Sequence, residues 1–393
     1  MHRSDESNLL RPLSSVPVPR LGVIGGGQLA KMTAAAAASF GCEVVVFERQ
    51  DDFPAHSLDT HAIIGDWDCP EDLLRLAPLV DVITLENEFV SADALSVLAD
   101  NRHTILPSAE TLMMVQDKYV QKSVFAQAGL PLAQFADAPS MEDVRRFDFP
   151  AVLKKRRNSY DGKGNATVLT EGELSAAWKT LDGDRCPLYV ERLYPFAAEL
   201  AIIVTRGRGG ESVQYPVVET INREHICHVV KAPADVSPTT KAQVAEYAKR
   251  AVAAIGGVGS FGVEFFLSAN GTVVLNEIAP RVHNTGHYTI EACVCSQFEN
   301  HVRAILGWPL GSTAMVSPGA AMVNLLGYGD GPGTPVGLEQ ALGVQGAHIH
   351  IYGKARSARG RKMGHVTALG ASADEALLEA QRAADCIRFG GQG

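Results

Sequence analysis

Two acids stand inside a hairpin that is otherwise apolar. Residues 261–266 read Phe-Gly-Val-Glu-Phe-Phe, a turn follows at 268–271, and residues 273–277 read Val-Val-Leu-Asn-Glu. Glu264 and Glu277 are the two carboxylates. With a four-residue loop, Glu264 opposes Leu275 and Glu277 is its diagonal neighbour. With a two-residue Asn270-Gly271 turn, the acids face each other. Both registers put them on one face, because strand side chains alternate with period two. Two anions so close repel unless a cation lies between them, and hard oxygen ligands favour Mg²⁺. Solvated acids on an edge hairpin are the bland alternative, and the apolar neighbours on both sides count against it.

Lys154-Lys155-Arg156-Arg157 leads into Ser159-Tyr160-Asp161-Gly162-Lys163-Gly164-Asn165. Cations followed by a glycine loop suit a polyphosphate: glycines let backbone N–H groups approach and lysines neutralise charge. No G-x-x-x-x-G-K-[ST] string occurs, so a P-loop is excluded. Gly25-Gly26-Gly27-Gln28-Leu29-Ala30 satisfies the dinucleotide fingerprint, with Glu48 ending the next strand. Alone it would suggest an NAD-dependent oxidoreductase, but any phosphate-sugar site at a βα turn needs the same glycines. A third cluster, Lys354, Arg356, Arg359, Arg361 and Lys362, gathers five cations in an acidic chain. It is either a phosphate site or a solvated charge run.

These groups need elements to hold them. Leu21–Ile24, Val44–Phe47, Ala62–Ile64 and Val82–Leu85 read as strands, with a helix from Gln28 to Phe40 capped at Gly41 and another at Asp68–Ala77. Alternation of this kind predicts a parallel sheet. Ser108 to Ala128 reads as helix, ended by Gly129. Ala151–Lys155 and Ala166–Leu169 are strands, and Thr170 with Glu173 predicts a capping box. Leu188–Leu193, Ala198–Thr205 and Val213–Glu219 predict an antiparallel middle, followed by a helix at Thr239–Ile255. Gly, Pro and Ser cluster at 307–319 and 327–337, marking the edge of a small C-terminal unit.

Lys118, Lys154, the glycine loop, Glu191, Glu199, Glu264 and Glu277 follow an order that resembles the ATP-grasp superfamily. Within it, three strings are similar to the N5-carboxyaminoimidazole ribonucleotide synthetase family. They are Tyr160-Asp161-Gly162-Lys163-Gly164, the run from Asn276-Glu277 through Arg281-Val282-His283-Asn284 to His287, and Gly360-Arg361-Lys362-Met363-Gly364-His365. The resemblance spans residues 20–370. It implies an α/β and α+β multidomain ATP-grasp fold. A flexible tail (1–19) precedes an N-terminal parallel, Rossmann-like α/β domain (20–115). An ATP-grasp region (116–310) follows, with its lid and nucleotide clamp near 145–205, and a small C-terminal domain (311–393) closes the chain.

The same resemblance implies ATP-dependent carboxylation of 5-aminoimidazole ribonucleotide by bicarbonate, through carboxyphosphate, with ATP and Mg²⁺ and as a homodimer. Lys118, Lys154 and the loop Ser159–Asn165 would hold the phosphates. Glu191, Arg192, Leu193 and Tyr194 would border the adenine, Glu199 would meet the ribose, Asn222 would stand where some relatives have a nucleotide-contacting histidine, and Asn276 would bind ATP beside the metal ligands Glu264 and Glu277. Arg281, His283 and Asn284 would face bicarbonate, with His283 or His287 as a general base. Lys354 and Arg361 would take the 5′-phosphate of the second substrate. Gly27, Gln28, Leu29 and Glu86, with Tyr160 and Asp161, would complete its site. A formate-dependent glycinamide ribonucleotide transformylase is the rival within the superfamily. The absence of an appended mutase domain predicts a separate enzyme for the next step.

Composition bounds these readings. At 393 residues two or three domains are expected. A net charge of −9 argues against nucleic acid or an anionic membrane as the main partner. Seven irregularly spaced cysteines predict reduced thiols in a cytoplasmic protein, with Cys293 and Cys295 as core residues.

Overall fold

The structure, a computed structural model, describes residues 18–58, 60–158 and 163–390. The tail expected at 1–19 lies outside it except for residues 18 and 19. The N-terminal strands β1 (Arg20–Ile24), β2 (Glu43–Glu48), β3 (His61–Ile64) and β4 (Val82–Leu85) form a parallel sheet in the order β3-β2-β1-β4. Leu21 to Ile24 are all buried, as a parallel strand covered on both faces requires. The alanine-rich helix Gln28–Ser39 covers one face and ends at Gly41, whose φ of +74° suits glycine. The helix expected at 68–77 is shorter. Only Pro70–Leu73 is α-helical, and a 3₁₀ turn spans Ala77–Leu79.

The helix expected from 108 to 128 is two helices, Ala109–Gln116 and Lys118–Gln127. Asp117 breaks them. Its carboxylate caps the second helix at the Tyr119 and Val120 amides and also takes a 2.7 Å bond from Arg156. A four-stranded antiparallel sheet, order β5-β8-β6-β7, follows, from β5 (Phe135–Ala138), β6 (Ala151–Lys155), β7 (Asn165–Val168) and β8 (Leu188–Arg192). The predicted capping box does not form. Thr170 makes no side-chain cap, and Glu173 accepts from the Leu169 amide at 2.8 Å, so a 3₁₀ turn precedes the helix Leu174–Thr180.

Among the described residues a nine-stranded sheet runs through the rest of the chain. Its strands are β9 (Ala198–Arg206), β10 (Ser212–Gln214), β11 (Val218–Arg223), β12 (Ile226–Ala232), β13 (Gly259–Leu267), β14 (Val273–Ala279), β15 (Gly319–Leu326), β17 (Ala347–Ile351) and β19 (Lys362–Gly370). The single strand expected at 213–219 is split into β10 and β11 by Pro216, which cannot donate to a ladder. Strand β12 escaped sequence reading. Its hairpin turn is Glu224-His225, both at positive φ, without the Gly or Asn that signals such a turn.

The order β14-β13-β9-β11-β12-β15-β19-β17 carries the sheet across residue 310 without a break. The C-terminal unit therefore has no principal sheet of its own; only a short ribbon, β16 (Gly331–Pro332) with β18 (Arg356–Ser357), stands apart. The helix Gln297–Leu306 buries Val302, Ile305 and Leu306 against Leu21, Val23 and Ala30, locking the middle of the chain onto the N-terminal sheet. The helix Ala373–Cys386 packs Ala380, Ala383 and Ala384 on the C-terminal strands. None of the seven cysteines, all among the described residues, forms a disulfide, and Cys293 and Cys295 are buried. No helix among the described residues is long and apolar enough to cross a membrane.

Candidate active site

Glu264 and Glu277 face each other directly across β13 and β14. The route differs from either simple turn: Leu267 pairs with Val273, and a one-residue bulge at Asn276 then shifts the register to oppose the acids. Burial and the neighbouring Glu277 push Glu264 up to about 8. Burial would raise Glu277 as well, but Lys118, with Nζ 3.1 Å from Oε2, holds it below its ordinary value. One carboxylate is thus compensated and its partner is not, which is the charge pattern a further cation would satisfy. With only two carboxylates, the remaining positions of such a cation fall to phosphate oxygens, as is usual for Mg²⁺. Among the described residues no group of three or more His, Cys, Asp or Glu side chains forms a metal cage.

The pair sits in the middle of a cleft of about 1350 Å³. At one end lies a buried ion cluster. Glu191 receives Lys154 and Lys122, each at 2.6 Å, and although burial would raise it, the two ammonium groups hold it at about 2. Lys122 escaped sequence reading. It lies one turn after Lys118 on the same helix, and that i, i+4 lysine pair was the available signal. Its Nζ also reaches the Asn276 carbonyl at 3.1 Å, tying the helix to the bulge. Asn276, Arg192, Leu193, Tyr194, Lys163 and Asn165 line this end. Phe266 stacks between Tyr194 and Phe196, an aromatic wall not foreseen. Glu199 accepts a hydrogen bond from Asn222. Gly164 has φ of +88° and does not line the cleft. Ser159, Tyr160, Asp161 and Gly162 lie outside the described residues.

The other end is the first glycine turn. Glu86 Oε1 accepts from the Leu29 amide at 3.3 Å. A Cβ at Gly27 would lie 2.2 Å from Glu86 Oε1, and one at Gly26 would lie 2.5 Å from the Phe53 ring. These glycines therefore make room for a carboxylate and an aromatic ring. Glu48, the acid a dinucleotide would need for its ribose, accepts from the Gly26 and Arg49 amides, both at 2.7 Å. Each oxygen takes one main-chain N–H, so Glu48 ties the glycine turn to the end of β2. Gln28, Lys354 and Arg361 line this end, as do Arg359 and Lys362. Burial, followed by repulsion from Arg361, lowers Lys354 to about 8.

Between the two ends runs Arg281-Val282-His283-Asn284. Arg281 makes a bidentate pair with Glu88 at 2.5 and 3.1 Å. Glu88 was missed, although it follows Glu86 by two residues on the same loop. His283 lowers to about 3, first through burial and then through Arg281, and its Nδ1 lies 2.9 Å from the Thr285 hydroxyl. It enters the cleft as a neutral imidazole. His287 does not enter. It is fully buried, off the cleft, packed against His365 with ring centroids 4.9 Å apart.

A nucleotide-sized cleft between two antiparallel sheets, with buried lysines at one end and paired strand carboxylates at its centre, defines an ATP-grasp enzyme. Family models agree: residues 123–298 match the ATP-grasp domain, 18–116 the ribonucleotide synthetase preATP-grasp domain, and 320–379 the phosphoribosylaminoimidazole carboxylase C-terminal domain. The chain is 40% identical over 372 residues to the N5-carboxyaminoimidazole ribonucleotide synthase of Synechococcus elongatus, covering 93% of each. It belongs to the N5-carboxyaminoimidazole ribonucleotide synthase family.

The chloroplastic phosphoribosylaminoimidazole carboxylase of Vigna aconitifolia is also 40% identical, over 90% of this chain. The present chain spans 64% of that relative's length. Among solved structures, the Aspergillus clavatus N5-carboxyaminoimidazole synthase in complex with ADP and 5-aminoimidazole ribonucleotide superposes with a TM-score of 0.86. Sequence identity is 34%, with 94% of this chain and 98% of that one covered.

Proposed function

We propose that this chain carboxylates 5-aminoimidazole ribonucleotide with bicarbonate at the expense of ATP. The products are N5-carboxyaminoimidazole ribonucleotide, ADP and phosphate, a step of de novo purine biosynthesis. The observation that carries this reading is the continuity of one cleft from the Glu191 lysines, past Glu264 and Glu277, to Glu86 and Lys354. A phosphoryl donor and a phosphorylated acceptor would meet at the Arg281–Asn284 loop between them.

A bicarbonate oxygen attacks the γ-phosphorus and ADP leaves, giving carboxyphosphate. The exocyclic amine of the ribonucleotide then attacks its carbon, phosphate leaves, and the amine loses a proton. Phosphoryl transfer needs positioning and charge neutralisation more than covalent help. Lys118 and Lys154 supply cations along the phosphates, assisted by the loop Ser159–Asn165. Glu264 and Glu277 would hold Mg²⁺, which neutralises phosphate charge when bound. Glu191 to Tyr194 border the adenine, Glu199 meets the ribose, and Asn222 stands beside Glu199. Arg281, His283 and Asn284 orient bicarbonate and its phosphorylated form. Gly27, Gln28, Leu29 and Glu86, with Tyr160 and Asp161, receive the aminoimidazole ribonucleotide, and Lys354 and Arg361 its 5′-phosphate.

Division of labour follows the ranges 20–115, 116–310 with its lid at 145–205, and 311–393. The enzyme acts in the cytoplasm as a homodimer. The test is ADP release with bicarbonate, with and without 5-aminoimidazole ribonucleotide. Stimulation by that acceptor supports the reading. Stimulation only by formate with glycinamide ribonucleotide would replace it with the transformylase.

A further inference from the structure

Asn284 reaches the cleft, but its amide is not free to choose which way it faces. Its Nδ2 donates to Asn324 Oδ1 at 2.9 Å, and its Oδ1 accepts from Asn324 Nδ2 at 2.7 Å. Asn324 lies on β15, is 6% exposed, and does not line the cleft. Its Nδ2 also donates to the Cys227 carbonyl on β12 at 3.0 Å. A carbonyl oxygen has no hydrogen to give, so the nitrogen of Asn324 must face Cys227. Both hydrogens of that nitrogen are then assigned, one to Cys227 and one to Asn284. The Asn324 oxygen is left to accept from Asn284.

The consequence reaches the cleft. Asn284 keeps one N–H and one lone pair beyond this pairing, and the main-chain carbonyl two residues away in the chain of bonds dictates which side each occupies. Turning Asn284 over would set two oxygens and two N–H groups against each other in a buried place, where unmade bonds are costly.

We infer that Asn324 is a positioning residue for the reaction. Through the Cys227 carbonyl it fixes the amide orientation of Asn284, and so the donor and acceptor that Asn284 presents to bicarbonate. This rests on the ligase reading above. It also gives the C-terminal strand β15 a part in the chemistry while touching no substrate.

Asn324→Asp tests it, because it replaces the NH₂ by an oxygen facing two acceptors, Cys227 O and Asn284 Oδ1. Turnover, read as ADP release dependent on bicarbonate and 5-aminoimidazole ribonucleotide, should fall about ten- to a hundredfold, with KM for ATP within about twofold. A merely structural residue would also act when Asn284 is gone. In an Asn284→Ala background, adding Asn324→Asp should instead cost less than about twofold further. Wild-type turnover in Asn324→Asp, or losses that multiply in the double variant, overturns the inference and leaves the ligase reading standing. ADP release by the wild type that ignores the acceptor overturns the ligase reading, and this inference with it. If melting shows that Asn324→Asp does not fold, Asn324→Ser, neutral and smaller, is read by the same cycle with the same two outcomes.

Discussion

At the scale of single residues, the facing acids and the basic loop carry the sharpest expectations. Glu264→Gln and Glu277→Gln should each lower kcat at least about a hundredfold at ordinary Mg²⁺, measured by steady-state ADP release. Near-normal turnover in both would remove them from the chemistry. Arg361→Ala would remove the proposed 5′-phosphate contact, which is made equally in ground and transition states. It should raise KM for 5-aminoimidazole ribonucleotide about ten- to a hundredfold and leave KM for ATP unchanged. Arg361→Lys should recover only part, since a point charge lacks the planar fork. The control is Arg356→Ala, because Arg356 is exposed and off the cleft, whereas Arg359 lines it. Equal effects of Arg361→Ala and Arg356→Ala would make the segment a solvated face. These residues were legible because an acid in an apolar strand, or five cations in an acidic chain, departs from what burial and solvation alone would select. Lys122, Glu88 and Asn324 were not, because a helix lysine, a loop acid and a strand amide have many uses until partners are known.

Elements decide how these groups are held. The helix Lys118–Gln127 delivers Lys118 to Glu277 and, a turn later, Lys122 to Glu191. The side chains of Lys122 and Glu191 are only 3% and 5% exposed, so removing one partner leaves a buried charge short of compensation. Lys122→Met should destabilise the fold by about 3–5 kcal/mol in urea unfolding. Unchanged stability would mean that Lys154 alone suffices for Glu191. The glycine turn after β1 makes a similar point about space. Gly27→Ala places a Cβ on the Glu86 carboxylate. It should raise KM for 5-aminoimidazole ribonucleotide severalfold, with ATP binding intact, as read by separate titrations. Equal damage to ATP binding would show that the turn serves the nucleotide instead. The catalytic loop is held the same way. Gln297 takes the His283 amide at 2.9 Å and donates to its carbonyl at 2.7 Å.

Across the whole molecule, buried neutral histidines join the parts. His301 bridges Thr84 of the N-terminal sheet at 2.9 Å and accepts from the Ser260 amide of β13 at 3.0 Å. Burial lowers it to about 4. An unfolded chain therefore binds a proton there between about pH 6.5 and 4 that the folded one refuses. The stabilising contribution is complete above pH 6.5 and is lost as pH falls through that window. Burial lowers His287 and His365 too, adding to the same slope. Melting temperature should fall steadily from pH 6.5 to 4, and His301→Gln should flatten part of that fall. An unchanged slope in His301→Gln would place the proton uptake elsewhere.

Residue patterns alone determined the parallel N-terminal sheet, the two acids and the glycine turn, through periodicity, a forbidden charge, or a spacing that one strand or helix imposes. The ATP-grasp class and the order of the site residues came from resemblance to a family. Sequence reading misjudged Ser108–Ala128 as one helix, because the cap that breaks it is Asp117, whose second partner Arg156 is thirty-nine residues away. It left the facing register open, because the bulge at Asn276 is part of the packing of Lys122 and Gln121 against β14. Tertiary structure alone decided that the C-terminal strands extend the ATP-grasp sheet. It also decided that Glu48 takes two main-chain amides and that His283, not His287, reaches the cleft. Those outcomes depend on which main-chain amides and carbonyls come within 3 Å of a side chain, a matter of distance in space that spacing along the chain does not encode.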